Sequence, residues 1–110
     1  MFKLVANPRF SRTVEVNVPV DGGFEKHTFK ATYQVIEDAD GDGAHDLETT
    51  EGSTAFLRSA LVSMDDLVGD DDKPLPYSDK LRDQLLKVPY IRIALARTYF
   101  QAVHKAALGN

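Results

Sequence analysis

The sequence predicts an α+β fold: an N-terminal antiparallel β-hairpin or small sheet followed by about three helices, the last one long and broadly apolar. Three observations predict it. Residues 13–35 alternate apolar and polar side chains with period two, residues 53–107 carry apolar positions at helical spacing, and an acidic, glycine-bearing stretch lies between them. With 110 residues, 43% hydrophobic and 27% charged, the chain has the size and balance of one domain with one core. It divides into a hairpin region (1–36), an acidic loop (37–52) and a helical region (53–110).

The first strand is read from Thr13 to Val18, where Val14, Val16 and Val18 share one face and Thr13, Glu15 and Asn17 the other. Pro19 is expected to stop it. Val20-Asp21-Gly22-Gly23 is a turn, and a second alternation follows, with His27, Phe29, Ala31, Tyr33 and Val35 set against Lys26, Thr28, Lys30, Thr32 and Gln34. Residues 2–5 allow one more short strand, which Pro8 limits.

Phe56, Leu57, Ala60, Leu61 and Met64 recur at helical spacing behind Ser53, the expected N-cap of a helix of about three turns. The stretch from Gly69 to Pro76 holds three adjacent aspartates and two prolines and reads as a loop. Ser78 caps a short helix carrying Leu81, Leu85 and Val88, and Pro89 opens the last helix, which runs to about residue 107. At about 100° per residue its apolar positions cover an arc of about 200°, interrupted by Arg92. A helix laid on one small core needs a narrower stripe, so either this helix is sandwiched centrally or part of its face is left for a partner or a second copy.

The chain has no cysteine, which excludes disulfides and thiolate sites and suits a reducing compartment. Asn7-Pro8 interrupts the opening apolar run well short of a signal-peptide core, and no apolar stretch approaches the ~18 residues of a membrane span. The expectation is a cytoplasmic protein with no membrane partner. The formal charge of −4 is unevenly spread: residues 1–36 carry +2, residues 37–72 carry −11 and residues 73–110 carry +5. An acidic third this dense repels polyphosphate, so nucleic acid is not an expected partner.

Asp38, Asp40 and Asp42, followed by Gly43, resemble the opening of an EF-hand calcium loop. The remainder departs from that template. Thr49 stands where the bidentate glutamate belongs, Glu48 falls one place early, and His45 occupies the normally apolar eighth position. A solvated acidic turn is the expected reading, with weak calcium binding through Asp38, Asp40 and Asp42 as the alternative. Asp65-Asp66 and Asp70-Asp71-Asp72 read as solvated charge runs. His27, His45 and His104 are scattered without a nucleophile or a second ligand at matching spacing, so no enzyme, metal centre or cofactor is expected.

The order of parts is itself informative. Phe2-Lys3-Leu4-Val5-Ala6-Asn7-Pro8-Arg9-Phe10 opens the hairpin, Leu61-Val62-Ser63-Met64-Asp65-Asp66-Leu67-Val68 precedes the acidic loop, and Pro74-Leu75-Pro76-Tyr77-Ser78 leads into Val88-Pro89-Tyr90-Ile91-Arg92-Ile93-Ala94-Leu95-Ala96-Arg97-Thr98-Tyr99. In this order and spacing the chain resembles the tail assembly chaperones of long-tailed bacteriophages and prophages. The resemblance implies a protein of the host cytoplasm that binds the tape measure protein, keeps it soluble during tail assembly and is not retained in the virion. It also implies a longer frameshifted form that recruits the tail tube protein, and copies that self-associate along one client. The expected partner-binding residues are Leu75, Tyr77, Ile91, Leu95, Tyr99, Phe100 and Val103. Two other readings stand beside it: a structural virion tail or connector subunit, and a weak calcium-binding interaction domain.

Overall fold

The alternation in the first third builds a longer hairpin than its valines alone indicate. A computed structural model describes residues 1–37 and 49–109. Strand β1 (Arg9–Val20) pairs antiparallel with β2 (Gly23–Gln34) in unbroken register, from Arg9 opposite Gln34 to Val20 opposite Gly23. Asp21 and Gly22 make the turn, and Gly22 takes a φ of +81°, which a side chain would disfavour.

Pro19 does not end β1, and the reason is its parity. The Val35 N–H donates to the Pro8 carbonyl at 2.8 Å, so even-numbered β1 residues turn their backbone groups toward β2 and odd-numbered ones turn them away. Among the described residues β1 is an edge of the sheet, and the N–H that Pro19 lacks would have faced no strand of them. Residues 2–5 form no strand; Phe2 and Leu4 are exposed.

Helix α1 (Thr50–Ala60) starts earlier than Ser53 predicts, inside the expected acidic loop. Thr49 is the N-cap, its side chain accepting from the Gly52 N–H at 2.9 Å, while the Ser53 hydroxyl donates back to the Thr50 carbonyl. The helix also ends earlier. Leu61–Asp65 is a third strand, β3, paired antiparallel with β2 from Lys30 opposite Asp65 to Tyr33 opposite Leu61. An irregularity between Thr32 and Tyr33 leaves Val62 as an extra residue, so Leu61 and Met64, three apart, both face the core. Helical spacing at those two positions was therefore a bulged strand in disguise.

Ser78 does cap α2 (Asp79–Leu86), accepting from the Leu81 N–H at 3.1 Å, and Pro89 is the first residue of α3 (Pro89–Leu108), which closes on left-handed Gly109. Val88 lies outside α2 as the N-cap position of α3. The helices gather on one face of the sheet, ordered β1-β2-β3, around a core in which Val14, Tyr33, Leu57, Met64, Leu86 and Leu95 are the largest enclosed side chains. The opposite face, with Thr13, Glu15, Lys26, Thr28 and Lys30, is exposed and polar, as an antiparallel sheet permits. Among the described residues no helix is long and apolar enough to cross a membrane.

Candidate functional site

Helix α3 decides which apolar side chains are available to a partner. Its inward side meets the sheet through Leu95 and Tyr99, only 0% and 3% exposed. The Tyr33 hydroxyl donates to the Leu95 carbonyl at 2.8 Å, the Ile36 N–H donates to the Tyr99 hydroxyl oxygen at 3.1 Å, and burial pushes the Tyr33 phenol well above its ordinary pKa. Leu95 and Tyr99 are thus core residues, which corrects their expected role in partner binding. Ile91, Val103 and Tyr77 are half-buried against the core, and only Leu75 and Phe100, each 39% exposed, stand open.

Arg92, the residue that interrupts the apolar arc, is also inward. Its guanidinium donates to the Leu86 carbonyl at 2.9 Å, satisfying the C-terminal end of α2, where a cation is favoured.

The surface left over is a second stripe, rotated away from the core. Ile93 (59% exposed), Ala96, Phe100, Val103 and Ala107 recur at spacings of three and four and fall within an arc of about 80° at 100° per residue. Phe100 is held in place from below: its ring stacks on Phe56 of α1 (centroids 5.3 Å apart, 18° between planes) and meets Tyr99 edge-on at 5.0 Å. Shallow depressions lie on either side of that ring. One is bordered by Thr49, Ser53, Ile93 and Ala96, the other by Val103, His104 and Ala107. Three of these stripe residues, Ile93, Ala96 and Ala107, were not among the expected contacts, although their three-four spacing is present in the sequence.

The other candidates are placed as follows. Leu75 follows the aspartate turn, where Val68 bridges to Pro74 and the Leu75 N–H donates to the Leu67 carbonyl at 2.8 Å. Tyr77 lies beside Arg82, and burial raises its phenol pKa despite that cation. Arg82 and Arg58 both donate to the Asp83 carboxylate at 3.1 Å, tying α1 to α2, and the hydrogen bond from Arg82 leads in holding that carboxyl below the usual range. His27 pairs with Glu25 at 3.2 Å on the exposed hairpin, and His104 is exposed on α3. Asp38, Asp40 and Asp42 lie outside the described residues, among which no group of three or more His, Asp or Glu side chains is arranged to hold a metal ion.

The chain matches no protein-family model, no curated protein and no solved structure.

Proposed function

We propose that the chain is a tail assembly chaperone that covers apolar helical segments of the tape measure protein and keeps them soluble. The observation that carries this reading is the outward stripe of α3. An apolar row with three-four spacing, anchored by an aromatic ring on a rigid floor, suits a groove or face that receives one side of an amphipathic helix. Single exposed apolar residues are ordinary, but a row of them on one helix calls for a partner. The resemblance of its order of sequence segments to that of tail assembly chaperones is what points to the tape measure protein as that partner. The acidic turn from Asp70 to Asp72, exposed on the same molecule, favours solubility of a complex with an aggregation-prone client.

The test is co-expression of the chain with a tape measure protein from the same genome or, failing one, the longest coiled-coil-rich product encoded nearby. Client solubility and co-purification are measured with the wild type and with Ile93→Asp/Phe100→Asp. The wild type is expected to hold the client in the soluble fraction and travel with it, and the double variant to lose both. Stoichiometric presence of the chain in purified virions would instead place it with structural tail or connector subunits.

A further inference from the structure

The free edge of β1 adjoins the α3 stripe, with Arg97 bordering both. The odd-numbered residues of β1 turn their backbone N–H and C=O groups away from β2. Two of the outward carbonyls are held by guanidinium groups: Arg12 donates to the Ser11 carbonyl at 2.9 Å and Arg97 of α3 to the Glu15 carbonyl at 3.1 Å. Among the described residues the outward backbone groups of Thr13 and the C=O and N–H of Asn17 have no hydrogen-bond partner. A polar groove runs along this edge, between β1 and α3, with Arg12, Lys26, Arg97 and Lys105 on its walls and, among the described residues, Glu15 as its one carboxylate. Glu15 is already matched by Lys26 at 3.6 Å, and Arg12, Arg97 and Lys105 have no carboxylate partner among the described residues.

We propose that this edge takes an extended acidic segment of another protein as a fourth strand, its alternate carboxylates meeting Arg12, Arg97 and Lys105. Strand addition satisfies the outward donors and acceptors together, which requires a ligand offering both at the strand repeat. A polypeptide does so; a phosphodiester backbone offers acceptors alone. The spacing also fits. Ser11 and Glu15 lie four residues apart, about 13 Å along a strand, which is twice the interval between side chains on one face of an added strand. On binding, each guanidinium exchanges a neutral carbonyl for a carboxylate, a stronger partner, and releases that carbonyl to a peptide N–H.

The experiment is a fluorescence anisotropy titration of the full chain with a labelled ten-residue peptide of alternating glutamate and threonine. The same peptide N-methylated at alternate amides, and a ten-nucleotide oligothymidylate, serve as comparisons. The acidic peptide is expected to bind and the N-methylated one to lose binding. Arg97→Glu is expected to weaken the acidic peptide about tenfold, and Lys105→Glu, at an exposed position with no partner to lose, about threefold. Equal binding of the N-methylated peptide, tighter binding of the oligonucleotide, or no binding of the acidic peptide would each overturn the proposal. None of these outcomes depends on the tape measure protein, so the reading of α3 is judged separately.

Discussion

Tyr33 joins the sheet to the last helix through one hydroxyl, buried and donated to the Leu95 carbonyl. Tyr33→Phe removes the second donor of a carbonyl that α3 already engages through its own i+4 N–H, and is expected to cost about 1 kcal/mol in urea unfolding at pH 7. The pH profile carries a second signature. Burial raises the native phenol pKa above the unfolded value of about 10, so this stability is complete below about pH 10 and is lost as pH climbs toward the raised native value. Tyr33→Phe should therefore flatten the alkaline fall in stability, leaving the part owed to Tyr77, which shifts in the same direction. Asp83 works at the other end of the scale. Its carboxyl titrates below the ordinary range because Arg82 and Arg58 donate to it, so its contribution is present above about pH 4 and lost as pH falls through the lower native value. Asp83→Asn should make the acid side of the stability profile shallower below about pH 4, as read by unfolding midpoints.

The elements whose ends are marked by local chemistry were legible in the sequence. Ser78 before an apolar run and Pro89 at a first turn each act within a few residues, and both are found in place. Ser78→Ala is expected to cost about 1 kcal/mol in unfolding, since the Leu81 N–H then loses its acceptor. A local signal misled once, at Ser53, where Thr49 is the cap four residues earlier, and most of the rest that escaped depended on contacts between elements. Leu61 and Met64 kept helical spacing only because Val62 is extra in a strand whose partner lies some thirty residues earlier. Pro19 fits within a strand because β1 is an edge, which cannot be known before the sheet order is. Arg92 interrupts the apolar arc on the wheel, which does not show that it reaches the carbonyl of a neighbouring helix. For the candidate site, the breadth of the α3 apolar face was legible, but its division between core and surface was not, since a wheel carries no information about where the sheet lies.

At the scale of the whole molecule that division decides which apolar side chains a partner could reach. With its helices collected on one face of a three-stranded sheet, the chain has a single covered layer, and α3 meets the sheet along Leu95, Tyr99 and Ala102. The rest of its apolar arc has no layer above it among the described residues, which is why Ile93 and Phe100 remain open. Aspartate at these two positions and aspartate at Leu95 should therefore behave oppositely. Leu95→Asp puts a carboxylate into a closed core beside Tyr33 and is expected to unfold the chain, with loss of the cooperative transition in circular dichroism. Ile93→Asp exchanges an exposed side chain and should change stability by no more than about 0.5 kcal/mol, while Phe100→Asp adds a loss of about 1 kcal/mol because its stack on Phe56 goes. The double variant is thus expected to stay folded at 25 °C and to lose the client. If it stays folded and still co-purifies with the tape measure protein, the stripe is not the binding face; if Leu95→Asp remains folded, the orientation of α3 on the sheet is itself wrong.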